Sequence, residues 1–194
     1  MTSGQDRACG GGPLRGAPTR FAAVGLALAA VLIVAGCGKA GQGAAAPPRT
    51  MTVTGEAFSQ GILPQRYTCQ GDRINPPLAW SGAPAGTKSF ALVFDDAAAP
   101  ITPFIYWLVF DIGPGTTDIQ EDALPTGARQ AMNSAATAGY DAPCPSSPGH
   151  MYRFTVYALN SWLSLPNGSP LPKVLAAIAA DTIGRGRKVV TGNP

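Results

Sequence analysis

Polar and apolar positions divide the chain into stretches of different kind. Residues 1–20 are polar or small and carry Arg7, Arg15 and Arg20 against one acid, Asp6. An unbroken run of small and apolar residues follows over 21–35 and stops at Gly36-Cys37. Residues 38–50 hold no large apolar side chain and show no period. From Met51 onward the pattern becomes short apolar runs punctuated by Gly and Pro.

Those runs predict strands. Residues 51–54 alternate. The stretches 89–94 (Ser-Phe-Ala-Leu-Val-Phe), 104–110 (Phe-Ile-Tyr-Trp-Leu-Val-Phe) and 152–159 (Tyr-Arg-Phe-Thr-Val-Tyr-Ala-Leu) are short, aromatic and β-branched. Such runs suit strands better than helices. Their near-continuous apolar character places them inside a sheet covered on both faces. Asp95-Asp96 should emerge where the first of them ends. Loops are expected at 76–77, 82–86, 113–115 and 143–149, where Pro and Gly gather. One helix is predicted over 173–183, between Pro170-Leu-Pro172 and Gly184, with Val174, Leu175, Ile178 and Ile183 near one face. Residues 186–191 read as a last strand, and there is no internal repeat. The class is mainly β, with a short helix near the C-terminus.

Composition narrows the partners. Of 194 residues, 45% are hydrophobic and 13% charged, against a usual charged share of about 25%. Such a chain is too apolar for disorder. The formal net charge is +3, with no Lys/Arg block, so no nucleic-acid partner is expected. One histidine excludes zinc sites built on two or three. Any Ser-His-Asp arrangement must run through His150.

A basic flank followed by an apolar run is the pattern of a secretory signal, and the run is short of the roughly 20 residues a spanning helix needs. Val34-Ala35-Gly36-Cys37 resembles the lipobox of bacterial lipoproteins. That resemblance implies cleavage before Cys37, a diacylglycerol on its thiol and usually an acyl chain on the new amino end. An ordinary cleaved signal or a short membrane helix are the alternatives, but neither gives Cys a reason to sit at the junction. Two or three acyl chains anchor stably where one does not. The expected organisation is a signal peptide over 1–36, lipidated Cys37 with a flexible tether over 37–50, and a domain over 51–194, exported and held at the cell membrane. Without residues 1–36 the net charge falls from +3 to +1, because three arginines and one acid lie there.

Two cysteines remain, Cys69 and Cys144, both in Gly- or Pro-flanked loops. In an exported domain they can form one disulfide, whose closure of so long a loop contributes about 4 kcal/mol in the chain-entropy model. Two free thiols are the alternative.

Three places carry candidate chemistry: Asp95-Asp96, Tyr106-Trp107, and His150 with Tyr152. All lie at or near strand ends beside Pro- and Gly-rich loops, so they can line one pocket. Tyr106 and Trp107 should face opposite sides of their strand, which leaves one of them in the core; Tyr157 also reads as core. A protonated His and a Tyr hydroxyl donate to phosphate oxygens, and an Asp holds an imidazole or an ammonium group. Asp95, Asp96 and His150 make only a weak metal set.

Longer motifs then stand in order. Phe58, Gly61, Leu63-Pro64 and Tyr67-Thr68-Cys69-Gln70-Gly71 come first. Asn75-Pro76-Pro77-Leu78-Ala79-Trp80 leads to Pro84-Ala85-Gly86-Thr87-Lys88-Ser89. Phe94-Asp95-Asp96 precedes Pro100, and Phe104-Ile105-Tyr106-Trp107 follows. Gly139-Tyr140, Pro143-Cys144-Pro145 and the stretch from Pro148 to Leu159 complete the set. Together, over about 52–192, they resemble the phosphatidylethanolamine-binding protein family in its bacterial YbhB/YbcL, or Raf-kinase-inhibitor-like, branch. The resemblance implies a sandwich of antiparallel and mixed β-sheets. It also implies a small pocket for phosphate, acetate or a phosphoethanolamine head group. Asp96 would be the pocket's acid, Pro100 a wall, His150 its second histidine and Tyr152 the aromatic beside it, with Pro143 and Pro145 shaping the rim. Two positions depart from the family pattern. Tyr106 stands at the first pocket histidine, and Ala98 at a second acid. A phenol stays neutral at pH 7, so anions should bind more weakly, or the ligand be neutral or larger.

The expected function is therefore binding without catalysis: a small anion or phospholipid head group, no cofactor, no metal, and a membrane reached through the lipid. A surface module that binds or inhibits a protein partner through the 143–149 loop is the alternative. A hydrolase with His150 as base has little support, since no Gly-x-Ser-x-Gly elbow is present.

Overall fold

The computed structural model describes residues 47–98 and 102–194. The signal peptide, Cys37, most of the tether and Pro100 lie outside the described residues.

The described residues form ten strands and one helix: β1 (Arg49–Thr50), β2 (Thr52–Thr54), β3 (Ile62–Leu63), β4 (Leu78–Ser81), β5 (Ser89–Asp96), β6 (Ile105–Ile112), β7 (Asp118–Ile119), β8 (Arg129–Gln130), β9 (His150–Leu159), α1 (Leu171–Asp181) and β10 (Thr182–Gly192). The larger sheet runs β1-β10-β9-β5-β6-β8, with β3 also on β10. β1 and β3 pair parallel to β10 and the other pairs are antiparallel. A smaller sheet, β2-β4-β7, packs on one face of the larger one. The mainly β, mixed-sheet class with one C-terminal helix thus holds.

Alternation decides what fills the two layers. Phe90, Leu92, Phe94, Trp107, Val109, Phe154 and Val156 share a cluster with Val53, Leu78, Trp80 and Ile119 of the small sheet. Ala91, Val93, Leu108, Phe110 and Leu159 point the other way and meet Val174 and Ile178 of α1. Both faces of β5 are covered, so every one of its residues is buried. Each such large apolar side chain contributes about 2 kcal/mol relative to exposure.

Several boundaries differ from expectation. β5 runs through Asp95 and Asp96 rather than ending before them, because both still pair with β9, opposite Arg153 and Tyr152. The helix sits two residues earlier than predicted, since Pro172 is accepted in its first turn. It ends at Asp181 because Thr182 already pairs with Leu159 of β9. Ile183 and Gly184 are therefore strand residues, and Leu175 is only half-buried. The 58–71 region forms two 3-10 turns, Glu56–Phe58 and Gln65–Tyr67, around the short β3.

Cys69 and Cys144, 75 positions apart in sequence, are joined in a disulfide with Cα atoms 5.3 Å apart. The Cys69 N–H also donates to the Pro143 carbonyl at 3.0 Å. The first loop is thereby clamped to the proline-rich loop that leads into β9.

Candidate functional site

Three strand termini converge at one end of the larger sheet: the end of β5, the start of β6 and the start of β9. Asp96 lies opposite Tyr152 across the β5–β9 pair. His150 stands two residues before Tyr152 on the same face, and their rings stack, with centroids 5.2 Å apart and planes within 1°. His150 Nδ1 lies 3.4 Å from Asp96 Oδ1. The same oxygen accepts the Ala98 N–H at 2.8 Å, which closes a turn after β5. The His150–Asp96 approach is a close contact rather than an aligned hydrogen bond, and Nδ1 has no hydrogen-bond partner.

Tyr106 reaches this cluster through a bulge. Phe94 pairs with Trp107, but the next residue, Asp95, pairs with Ile105, so Tyr106 is the extra residue of β6. An extra residue breaks strict alternation and re-aims a side chain. Tyr106 and Trp107 consequently both pack toward the same core cluster, in place of the opposite facing expected from sequence. The Tyr106 ring meets Tyr152 edge-on at 5.8 Å and lies 5.3 Å from Phe94 and 4.8 Å from Phe104. Trp107 is core: it is buried and its Nε1–H donates to Gln130 Oε1 at 2.6 Å.

The bulge is held from behind. The Tyr106 carbonyl accepts the Asp141 N–H at 3.0 Å and the Asn133 amide at 3.3 Å. Asn133 Oδ1 in turn accepts the N–H groups of Ala135 and Thr137. Sequence reasoning drew nothing from Asn133. Its signal was an Asn ahead of Ser-Ala-Ala-Thr, a stretch that folds a loop onto a side chain. Tyr140 stacks on Phe94 at 5.7 Å, and its hydroxyl donates to the Tyr67 carbonyl at 2.7 Å.

Gly192 permits the rim to close. It pairs with His150, and a Cβ there would fall 2.5 Å from Tyr152 Cε2 and 3.1 Å from Pro145 Cβ. Pro145 therefore borders the cluster directly. Pro143 is buried and tied to Cys69; it shapes the rim from one step away.

Burial keeps the phenols neutral. Desolvation, then Asp96, then Asp141 push the Tyr106 hydroxyl up to about 12. Burial, then Tyr106 and Asp96, raise Tyr152 as well. Both phenols are neutral at ordinary pH.

Asp95, the neighbour of Asp96, belongs to another arrangement. Its carboxylate takes a two-pronged hydrogen bond from Arg153, with Nε–H to Oδ1 at 2.9 Å and a second from Nη2 to Oδ2. Asp95, Asp96 and His150 do not form a grouped metal set, and no such set occurs among the described residues.

Among the described residues three buried side-chain polar atoms lack a hydrogen-bond partner: Trp80 Nε1, His150 Nδ1 and the Tyr152 hydroxyl. Two of the three belong to this cluster. A separate hollow of about 280 Å³ lies on the small sheet, lined by residues that include Glu56, Leu78, Asp118 and Gln120; none of its lining residues carries such an atom.

Known proteins share the sequence pattern and the fold of this region. The family model described as phosphatidylethanolamine-binding protein matches residues 54–193. A UPF0098 protein of Methanothermobacter thermautotrophicus is 39% identical over 145 residues, covering 72% of this chain and 96% of that protein. The Mycobacterium tuberculosis protein named "Putative lipoprotein LppC" is 33% identical over 194 residues, covering 89% of this chain and 95% of that protein. Among solved structures, the PEBP homologue CT736 of Chlamydia trachomatis superposes with TM-score 0.69 at 33% identity. It covers 75% of this chain and 99% of its own. YbcL of E. coli superposes with TM-score 0.68 at 30% identity, over 74% of this chain and 98% of its own.

Proposed function

This chain belongs to the phosphatidylethanolamine-binding protein family, in its YbhB/YbcL-like bacterial branch, and from that premise we propose that it is a membrane-held binding protein without catalytic activity. The cluster of Asp96, Tyr106, His150 and Tyr152, bordered by Pro145, would be its binding site for a small anion or a phospholipid head group. The observation that carries this reading is the buried, unpartnered pair of polar atoms, His150 Nδ1 and the Tyr152 hydroxyl. A buried donor left unpaired costs about 1–3 kcal/mol, and a phosphate oxygen beside His150 and Tyr152 offsets that cost. Asp96 then suits the ammonium end of a phosphoethanolamine group or steadies the imidazole. His150 faces Asp96 and Tyr152, and Cys144 of the adjoining loop is consumed in the disulfide, which supports binding rather than covalent chemistry.

The membrane part of the proposal rests on Cys37 and the lipobox-like Val34-Ala35-Gly36-Cys37, and on the relative named as a lipoprotein. Isothermal titration of the body 47–194 with phosphate and with phosphoethanolamine tests the pocket. Binding is expected, weakened at least tenfold in His150→Ala; a folded protein that binds neither ligand contradicts the reading. Incorporation of labelled palmitate, abolished in Cys37→Ala, tests the anchor separately.

A further inference from the structure

The charges of this body are unevenly placed. Residues 47–194 hold as many acids as bases, yet the β1–β10 edge is basic. Arg49, Arg185 and Arg187 are exposed there, and Lys188 is half-buried between them and the core. Among the described residues no ion pair involves any of the four. The acids Asp72, Asp118, Glu121 and Asp122 are gathered instead around β7 and the 66–72 loop, two of them paired with Arg66.

Strand geometry aims this edge outward. Arg185, Arg187 and Val189 alternate on one face of β10, opposite Tyr157, Thr155 and Arg153 of β9. The other face of β10 is covered: a Cβ on Gly186 would fall 2.5 Å from the Met51 carbonyl. Arg187 Nε–H donates to Thr155 Oγ1 at 3.3 Å, which spreads its guanidinium along the sheet. Arg185 lies opposite Tyr157 across the β9–β10 pair; burial raises that phenol, Arg187 and Arg185 pull against it, and Arg153 beside it is already paired with Asp95. Beside them Val189 and Met151 are 44% and 43% exposed. Guanidiniums next to exposed apolar side chains are what an interfacial surface requires: charge for phosphates, apolar groups for the layer beneath.

The entry point of the chain lies at the same place. Pro47 and Pro48 line a hollow of about 420 Å³ together with Thr50, Met51, Arg185, Gly186 and Arg187. Pro47 lies ten positions after Cys37, a reach of at most about 36 Å. An anchor at Cys37 would therefore keep this edge within that distance of the bilayer.

We propose that the Arg49–Arg185–Arg187 edge, with Val189 and Met151, is the face by which the body docks on an anionic phospholipid surface. The phosphate-bearing head groups would sit between the guanidiniums in the hollow beside Pro47. The proposal rests on the reading that Cys37 anchors the chain, and it is separate from the pocket.

The test uses the body 47–194, which lacks Cys37. That part has the extent of a whole protein: the match with CT736 takes in 75% of this chain and 99% of CT736, and the family model spans residues 54–193. The body is sedimented with phosphatidylcholine vesicles, with and without phosphatidylglycerol. Expected is partition onto the phosphatidylglycerol vesicles only, declining as salt rises. Arg185→Gln with Arg187→Gln should lower the partition coefficient about 25-fold, about fivefold for each basic residue near an anionic surface. Lys173→Gln on α1 should leave it unchanged, and all variants should melt with wild type. Equal binding to neutral vesicles, no binding at low salt, or wild-type binding by the double variant overturns the proposal. Release from the vesicles by millimolar phosphoethanolamine does so too, because it would move the contact to the pocket. Failure of the anchor reading is seen separately, as palmitate labelling unaffected by Cys37→Ala.

Discussion

At the end of β5 two adjacent carboxylates face opposite sides of one sheet and have different surroundings. Asp95 meets Arg153 in a two-pronged hydrogen bond, and both side chains are largely out of water, at 11% and 24% exposure. Its charge and its acceptors are satisfied within the protein. Asp96 meets only His150 at 3.4 Å and the Ala98 N–H, beside a buried tyrosine hydroxyl that nothing in the protein satisfies. The first arrangement is complete, so changing it should alter folding. The second is incomplete, so changing it should alter binding more than folding. Position in the chain does not separate the two; the closure of the hydrogen-bond set does.

The largest expected effect removes the clamp that both sides share. Cys69→Ser with Cys144→Ser should destabilise the body by about 4 kcal/mol, read by chemical unfolding. It should also loosen the rim at Pro145 and weaken ligand binding; unchanged stability would mean the loops are held by packing alone. Next, Arg153→Met strands a carboxylate that is mostly buried. The loss should be about 2 kcal/mol, below the roughly 3–5 of a fully buried pair, because a quarter of Arg153 stays in water. Ligand affinity should not move. Asp96→Asn should do the reverse, changing stability by less than about 1 kcal/mol while lowering phosphoethanolamine affinity in titration calorimetry. If Asp96→Asn destabilises as much as Arg153→Met, the two sides are alike and the comparison fails.

A smaller effect appears at high pH. The phenols of Tyr106 and Tyr67 are pushed up to about 12, in both cases first by burial. An unfolded chain loses these protons near pH 10, while the folded chain keeps them. Their contribution to stability is therefore intact below pH 10 and is lost as pH rises toward 12. Melting temperature should fall through that window, and less steeply in Tyr106→Phe. An equal slope would place the Tyr106 hydroxyl in water.

Much of this was legible in the sequence. The continuous apolar runs identified β5, β6 and β9 because strands covered on both faces need no polar alternation. That Asp95 and Asp96 part company follows from a period of two. The pairing of Cys69 with Cys144 was one of two readings left open by an exported domain with two thiols. Other features left little trace. The bulge at Tyr106 is marked by no Gly or Pro; it is imposed by pairing with β5 and by the grip of Asn133 and Asp141 on one carbonyl. The end of α1 depends on Thr182 joining β9, a contact distant in sequence. Gly192 is required by a ring and a proline that only the fold brings to it.

The central claim is that the Tyr152 hydroxyl is kept for a ligand rather than for the fold. Thermal unfolding of the body 47–194, as wild type and as Tyr152→Phe, with and without phosphoethanolamine, tests it most directly. Removing an unpartnered buried hydroxyl should stabilise the ligand-free body by about 1 kcal/mol, a rise of roughly 3 °C for a domain of this size. Phosphoethanolamine should raise the melting temperature of the wild type and leave the variant nearly unmoved. A variant that melts below wild type, yet retains the full ligand-induced rise, would contradict the account.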